Sequence, residues 1–418
     1  MPQNFHDAIT VTRKSGLKYL WIDSLCIIQD DSLDWAREAA KMDRVYANAY
    51  LTIAATSSSS THEGFLRRPK PNVVRMPYIS PDDGTAKGHF YLDSGPGGRS
   101  TDLVSSTWNT RGWTFQERIL SARILHFCKE RLLFECKGAD FTEDNQSPSP
   151  MQQAQWLKRD VDDQRMSAST FVPKEEPQRT YHHWYDMIRR YTEREFTYED
   201  DLIPAVQGLI NEVKSMIGDE CYWGTWRGTF ERGLLWCRPD GELYSSSFTK
   251  PKKPRAPTWS WLSVNGGVTW SRPPYDLETS FSLKVLNRAL DDAETPADAW
   301  ELRLLGKLKV LSPCVRQAWK TDHDWQVLLY CNMVEIGKGF LDKKECDFEQ
   351  REIWILEVEN TVSATMKSRG GDTLAGLLLE KCPGSGGSED KFERIGFALR
   401  PENSTIFDDV EPGAFLLV

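Results

Sequence analysis

Glu38 is the residue of this sequence whose setting most favours chemistry. It lies in a stretch that predicts a helix from about residue 33 to residue 46, with one apolar face. The residues of that face follow helical spacing: Trp35, Ala39, Met42 and Tyr46. At 100° per residue, Glu38 lies at the margin of this face, where partial desolvation disfavours a charged carboxylate. We therefore predict a catalytic carboxylate at Glu38. The alternative is a surface glutamate in a salt bridge with Arg37 or Lys41.

Two apolar runs flank this helix and predict the strands that would position it. The runs Tyr19–Ile22 and Ala49–Ala55 are continuous, as in strands buried on both faces. A strand, a helix and a strand within about 35 residues predict a βαβ unit with a parallel sheet. Ligands bind at the carboxyl ends of such strands, which makes Asp23 and Ser24 candidate ligand-binding residues. Asp23 could instead cap the turn that follows it.

Arginines and a short aromatic helix supply further candidates for the same ligand. Arg111 and the pair Arg67 and Arg68 could bind phosphates bidentately, or form ion pairs with Glu117 or another acid. A helix is predicted from about Trp113 to residue 120.

Four side chains of that helix carry alternative interpretations. Trp113 and Phe115 could stack on a base, or they could belong to the core. Gln116 and Glu117 could face the pocket, or they could be structural.

Three segments together resemble one family, the fungal heterokaryon-incompatibility (HET) domain. They are YLWIDSLCIIQD at residues 19–30, MDRVYANA at residues 42–49 and RGWTFQERILS at residues 111–121. The resemblance covers roughly residues 2–136. A later segment, APTWSW at residues 256–261, is similar to a segment that is common in the C-terminal regions of such proteins.

The resemblance implies a fungal protein of nonself recognition, in which the HET domain is an effector of programmed cell death. It also implies a TIR-like fold, a parallel sheet with flanking helices, because HET domains are remotely similar to Toll/interleukin-1-receptor (TIR) domains. Some TIR domains cleave NAD. Trp35 and Glu38 are loosely similar to the Trp-and-Glu helix of those enzymes, with a different spacing. In that activity a carboxylate such as Glu38 would stabilise the ribosyl centre as nicotinamide leaves.

One family motif is absent from this sequence. The family usually begins with a strand block of the type Tyr-x-Ala-Leu-Ser-Tyr-x-Trp-Gly, upstream of the helix that begins here near Asn4. We therefore expect that the first strand of the sheet is missing or is replaced by another segment. The sequence leaves open whether the protein is an NAD-cleaving enzyme, a non-enzymatic signalling module that self-associates, or a nuclear regulatory protein.

The sequence predicts three regions along the chain. Residues 1–140 form the HET-like α/β domain. Residues 141–180 are rich in Ser, Pro and Gln and predict a polar linker. Residues 181–418 predict two helices, followed by a mixed region rich in strands.

Composition narrows the function classes. The net charge of −9 argues against binding to nucleic acid, and no apolar run is long enough to predict a membrane span. The nine cysteines read as reduced thiols, and no metal site is expected. We expect no resident cofactor, with NAD as a candidate substrate and a nucleotide as the candidate ligand.

The expected partner is a second copy or another incompatibility protein, in the cytoplasm. A nuclear location would use a basic run that resembles a localisation signal: Lys250, Lys252, Lys253 and Arg255.

Overall fold

The chain has 418 residues, and a computed structural model describes most of them. The described residues are 1–68, 73–81, 84–93, 101–129, 131–136, 140–143, 177–239, 248–270, 280–286, 300–311, 326–331, 334–342, 352–359, 373–384, 389–401 and 404–418. They fall into two compact units. Unit 1 comprises Met1–Phe171 and Pro204–Leu209, and unit 2 comprises Val172–Ile203 and Ile210–Val418. The predicted linker at residues 141–180 lies largely outside the described residues.

Unit 1 is built from short helices around a small sheet. Its helices are α1 (Gln3–Lys14), α2 (Asp23–Cys26), α3 (Ser32–Ala39), α4 (Met42–Asn48), α5 (Thr101–Val104), α6 (Thr107–Thr110) and α7 (Trp113–Leu120). Its strands are β1 (Thr52–Ala54), β2 (Val73–Ile79), β3 (Ala86–Asp93), β4 (Arg123–Phe127), β5 (Leu132–Cys136) and β6 (Asp140–Thr142). The sheet has the order β1-β4-β5-β6, and β2 pairs with β3 in a separate hairpin.

The predicted parallel sheet is present only in part. β1 and β4 are parallel, with Thr52 opposite Ile124, whereas β4–β5 and β5–β6 are antiparallel. The described sheet of unit 1 is therefore mixed. The apolar runs at residues 124–128 and 131–136 predict a hairpin, which is confirmed as β4 and β5.

The predicted strand at Tyr19–Ile22 was wrong. These residues have no regular secondary structure, and α2 begins directly after them. Leu20 and Ile22 nevertheless pack against the core of Ala8, Val11, Phe65 and Phe127. Tyr19, however, is 91% exposed and the other three residues are only partly buried, so the predicted burial on both faces was wrong as well. No βαβ unit forms between residues 19 and 55.

The predicted helix from residue 33 to residue 46 is two helices. α3 ends at Ala39 and α4 begins at Met42, and Ala40 and Lys41 form the break. Asp31 caps α3, because its carboxylate accepts hydrogen bonds from the N–H groups of Leu33 and Asp34. The apolar spacing continues across the break, which is why the sequence predicted one helix.

Unit 2 begins with helices and continues as a large sheet. The helices are α8 (Pro177–Thr192), α9 (Pro204–Ile217, whose first six residues belong to unit 1) and α10 (Phe230–Gly233). α8 and α9 confirm the two helices predicted from residue 181. Three short 3-10 helices are Glu199–Leu202, Arg227–Thr229 and Trp261–Ser263. The alternating residues 258–264 predict a strand, and the last of these 3-10 helices replaces it.

The strands of unit 2 confirm a β-rich C-terminal region. They are β7 (Cys221–Tyr222), β8 (Thr225–Trp226), β9 (Trp236–Cys237), β10 (Thr269–Trp270), β11 (Lys284–Val285), β12 (Leu302–Gly306), β13 (Leu308–Leu311), β14 (Gln326–Cys331), β15 (Val334–Leu341), β16 (Ile353–Glu357), β17 (Thr373–Lys381), β18 (Lys391–Pro401) and β19 (Gly413–Leu417).

Nine of these strands form one sheet with the order β11-β12-β19-β18-β17-β16-β13, to which β15 and β14 are added through β18. β18 is parallel to β19, and the other pairs are antiparallel. Among the described residues, no helix has the length and apolar character that a membrane span requires.

Candidate functional site

The three segments that resemble the HET family meet at Tyr46 of α4. Burial raises the pKa of the Tyr46 phenol well above its usual value of 10.0, and the carboxylates of Glu117 and Asp23 raise it further. The phenol is hydrogen-bonded to Glu117 on α7, which also raises its pKa. The positive charge of Arg111 lowers the pKa. Tyr46 is therefore a neutral hydrogen-bond donor. Three predicted ligand residues, Asp23, Arg111 and Glu117, lie within its electrostatic reach.

Aromatic rings join the first motif segment to the second, and the third motif segment to α3. The Trp21 ring lies edge-on to Tyr46, with centroids 5.8 Å apart. Trp35 of α3 meets Trp113 of α7 at 6.1 Å, with ring planes 88° apart. All four rings are only partly buried. Unit 1 thus contains one half-exposed tryptophan–tyrosine pair and one half-exposed tryptophan pair, and three charged groups act on the tyrosine.

Glu38 lies one turn beyond Trp35 on α3 and forms salt bridges. Its Oε1 is 2.7 Å from Lys41 Nζ and 3.8 Å from Arg37 Nε, and its side chain is 26% exposed. This is the ion pairing that the alternative interpretation of Glu38 describes. A catalytic role of Glu38 stays a prediction.

Asp23 and Ser24 are exposed at the start of α2. The Ser24 N–H donates to Asp23 Oδ1 at 2.7 Å, so Asp23 makes the local turn contact that its alternative interpretation describes. Its charge also acts on Tyr46, so the two interpretations of Asp23 are compatible.

The structure places Arg67 beside Asp7 of α1. Burial opposes ionisation of Asp7, but hydrogen bonds from the Phe65 N–H (2.7 Å), the Gln3 amide and the Leu66 N–H (3.1 Å) outweigh it. The charge of Arg67 acts in the same direction, and the pKa of Asp7 falls below its usual 3.8. Asp7 thus fixes the loop that carries Arg67. The neighbouring Arg68 pairs with Glu143 at 2.5 Å.

Gln116 is buried, whereas Glu117 beside it is only half-buried. Gln116 is 1% exposed, and within the described part of the chain its Oε1 has no hydrogen-bond partner. A Cβ atom on Gly208, in the part of α9 that belongs to unit 1, would lie 2.8 Å from this oxygen. Gln116 therefore packs against helix backbone. The structure brings Glu117, not Gln116, to Tyr46.

A buried polar chain next to this site was not predicted from the sequence. Arg118 of α7 donates from Nε and Nη2 to Glu135 of β5, at 3.0 and 2.5 Å. Glu135 Oε2 is 3.2 Å from His126 Nε2, and His126 Nδ1 is 3.2 Å from the Thr56 hydroxyl. All four residues are buried. This chain ties α7, and with it Glu117, to the sheet.

Sequence reasoning also missed Tyr46 as a site residue, because its spacing assigned it to the apolar face of a helix. The available signal was its position within the second motif segment. No group of three or more His, Cys, Asp or Glu residues is placed to hold a metal ion among the described residues.

The fold and the site define unit 1 as a helix-rich α/β domain in which three motif segments converge on one tyrosine. Residues 1–117 match the family model described as Heterokaryon incompatibility protein (HET). The match includes the first two motif segments and the start of the third, so the predicted resemblance is confirmed over this region. Residues 1–117 of the chain are thus a HET domain, which suggests a role in heterokaryon incompatibility. No curated protein and no solved structure matches the chain significantly.

Proposed function

We propose that this protein is an effector of fungal nonself recognition and that its HET domain triggers cell death by hydrolysing NAD. The convergence of the three motif segments at Tyr46 is the observation that carries the proposal. It joins carboxylates, a guanidinium and the Trp21 ring, and α7, which carries Glu117, also carries Trp113 in contact with Trp35; these are groups that a dinucleotide needs.

Each group has a role in this reaction. The guanidinium of Arg111 would bind the pyrophosphate, and a half-exposed indole such as Trp35 or Trp113 would stack on a base. Asp23 would accept hydrogen bonds from ribose hydroxyls. Glu38, one turn beyond Trp35, would face the ribosyl carbon.

The reaction breaks the glycosidic bond between the ribose C1′ and the nicotinamide nitrogen. The bonding electron pair leaves with nicotinamide, and positive charge develops on the ribose, where a carboxylate stabilises it. Water then adds to C1′ and loses a proton. The products are nicotinamide, ADP-ribose and one proton.

Two carboxylates compete for the stabilising role. Glu38 has the position that the TIR resemblance implies, but Lys41 and Arg37 pair with it. Glu117 lies at the convergence point and hydrogen-bonds Tyr46. We assign the role to Glu38 and treat Glu117 as a ligand-binding residue.

The test is release of nicotinamide from NAD by the purified full-length protein. We expect Glu38→Gln to lower the rate about 100-fold or more while NAD binding is retained. Glu117→Gln should weaken binding. Glu212→Gln, which changes an exposed glutamate on α9 in unit 2, is the matched control and should leave the rate unchanged. No nicotinamide release by the wild-type protein, together with an intact NAD pool in cells that overproduce it, would contradict the proposal.

The ion pairs of Glu38 favour a second candidate, a non-enzymatic signalling module of the same pathway. Under this alternative Glu38 stabilises α3 and takes no part in chemistry. Glu38→Gln would then leave toxicity and self-association unchanged, which distinguishes the two candidates.

A cytoplasmic location is proposed with either candidate. Its support is Arg255, the last residue of the basic run. Arg255 donates hydrogen bonds to the carbonyls of Leu262, Val264 and Glu199 and to Asn265 Oδ1, so it is committed to the fold. Lys250, Lys252 and Lys253 are exposed. Deletion of residues 250–253 should leave the protein in the cytoplasm. If the full-length protein is found in the nucleus and the deletion variant is not, the nuclear regulatory alternative is favoured.

A further inference from the structure

Gly208 lies inside a helix, where glycine is unfavourable. It belongs to α9, and its φ is not in the left-handed region that favours glycine. Glycine weakens a helix interior compared with alanine, because it loses more conformational freedom on folding. The conformation of α9 therefore gives no reason for a glycine at this position, and the explanation lies in the side chains around it.

The space beside Gly208 is filled by α4 and α7, the two helices that carry the candidate site. A Cβ atom on Gly208 would lie 2.7 Å from Asp43 Cβ on α4, and 2.8 Å from Gln116 Oε1 and 3.3 Å from Leu120 Cδ1 on α7. All four residues belong to unit 1. Real Cβ atoms essentially never have a neighbour closer than 3.0 Å. Only a glycine therefore lets the backbone of α9 approach both helices this closely.

The residues that contact Gly208 are next to the pair that defines the site. Asp43 and Tyr46 are three residues apart on α4, so they are neighbours on one side of that helix. Gln116 directly precedes Glu117 on α7. The two helices pack against each other, and the hydrogen bond between Tyr46 and Glu117 joins them. A shift of either helix therefore changes the distance between these two side chains.

A side chain at position 208 would have no open space to enter. The residues around Gly208 on α9 are completely buried: Ala205, Val206 and Leu209. The Gln116 amide is the end of a flexible side chain and can turn aside, but Asp43 Cβ is fixed to the backbone of α4. An added methyl group would therefore displace a helix, as extra atoms in a packed interior shift the backbone.

We propose that Gly208 is a positioning residue of the candidate site: its lack of a side chain lets α9 hold α4 and α7 where Tyr46 meets Glu117. Gly208 lies outside residues 1–117, the region that matches the HET family model. The site is thus completed by a helix from beyond the matched region. This role rests on the site of the proposed function, but its main test needs no NAD.

Ionisation of Tyr46 in the full-length protein tests this role. The titration of each variant minus that of the same variant with Tyr46→Phe isolates the phenol. We expect Gly208→Ala to lower the pKa of Tyr46 toward 10.0, because a displaced helix exposes the phenol and moves Glu117 away. Gly88→Ala on β3 is the matched control, because an added Cβ there meets no described atom within 4 Å. Ionisation of Tyr46 in Gly208→Ala as in the wild type would overturn the role.

Removal of the opposing atom gives the decisive result. Asp43→Gly deletes the Cβ that the new methyl group meets, so adding it to Gly208→Ala should restore the wild-type pKa of Tyr46. Asp43→Ala removes the carboxylate but keeps this Cβ, so it should not restore the pKa. Rescue by both substitutions, or by neither, would overturn the role. If circular dichroism shows that Gly208→Ala does not fold, the same two substitutions are compared for recovery of folding, with the same criteria.

Nicotinamide release separates this role from the proposed function. In a protein that hydrolyses NAD, Gly208→Ala should lower the rate about 100-fold, and Asp43→Gly should restore most of it. An unchanged rate in Gly208→Ala would overturn the role. A wild-type protein that releases no nicotinamide contradicts the proposed function instead, and the titration of Tyr46 then decides on Gly208 alone.

Discussion

The two units of this chain use the same residue type in different ways. Unit 2 buries five tryptophans completely: Trp184, Trp226, Trp236, Trp259 and Trp261. The described tryptophans of unit 1 are only partly buried; Trp21 contacts Tyr46, where the motif segments meet, and Trp35 contacts Trp113. The abundance of tryptophan in the composition therefore has two causes, a rigid core in one unit and a half-exposed site in the other.

Indole N–H groups show the structural use in unit 2. Trp184 and Trp261 both donate to the Gly224 carbonyl, at 3.3 and 3.0 Å. Trp236 donates to the Trp259 carbonyl at 2.8 Å. These bonds satisfy buried donors and hold the turn at Trp223, which has the left-handed φ of 49°. Side chains that are committed in this way are poor candidates for a ligand site.

Each unit also buries a guanidinium paired with a carboxylate, and the two pairs offer a direct comparison. In unit 2, Arg394 pairs with Asp342 at 2.8 Å, donates to the carbonyls of Leu234 and Trp236, and covers the Trp236 ring. In unit 1, Arg118 pairs with Glu135, which also contacts His126.

The largest effect is expected at Arg394. Its replacement by Ala leaves Asp342 and two carbonyls buried without their donor, so we expect a loss of about 4 kcal/mol in the free energy of unfolding of unit 2. Chemical denaturation measures this loss. Arg303→Ala, which removes an exposed partner of Glu389, is the control and should cost less than about 1 kcal/mol. Equal effects of the two substitutions would contradict the comparison.

A slightly smaller effect is expected at Glu135 in unit 1. Glu135→Gln leaves the Arg118 charge buried without its counter-charge and should cost about 3 kcal/mol. The apolar pair Arg118→Met with Glu135→Leu should recover most of that loss, because both charges are then absent. Denaturation of the three variants verifies this. If the double variant is no more stable than Glu135→Gln, the unpaired charge of Arg118 is not the cause of the lost stability.

Much of the fold could be predicted from the sequence where the pattern was local. The helices near residues 4–14, 113–120, 181–191 and 203–217 follow from apolar spacing, and the β4–β5 hairpin follows from its turn. Asn4 and Asp7, however, predict a capping box. The structure instead has the helix beginning at Gln3, with Asn4 and Asp7 bonded to the loop at residues 58–66. Contacts with a loop more than 50 residues away are not visible in a local pattern.

The candidate site shows the same limit. The motif segments identified Asp23, Arg111 and Glu117, but not that Tyr46 joins them, because helical spacing assigned Tyr46 to a core-facing stripe. Nor could spacing show that Gln116 packs against Gly208, almost 100 residues further along the chain. Which of two neighbouring polar residues faces the site depends on the packing of α7.

The smallest of the expected stability losses is at Asp7, and this loss depends on pH. Asp7→Ala removes three hydrogen bonds to a buried carboxylate and should cost about 2 kcal/mol at neutral pH. The pKa of Asp7 is lowered in the folded state, so its contribution is present above the unfolded value of about 3.8 and is lost as the pH falls through the folded pKa. Denaturation at neutral pH and at about pH 2 should show the difference between variant and wild type shrinking in acid. A difference that is constant with pH would contradict the assignment.

The convergence of the motif segments at Tyr46 is tested most directly by the ionisation of that tyrosine. The near-ultraviolet titration of the wild-type protein minus that of Tyr46→Phe isolates the Tyr46 phenol, with circular dichroism as the measure of folding. We predict that Tyr46 ionises well above pH 10.0, and that Glu117→Gln lowers its pKa part of the way, because burial continues to act. A Tyr46 pKa near 10.0 that does not respond to Glu117→Gln would contradict the account.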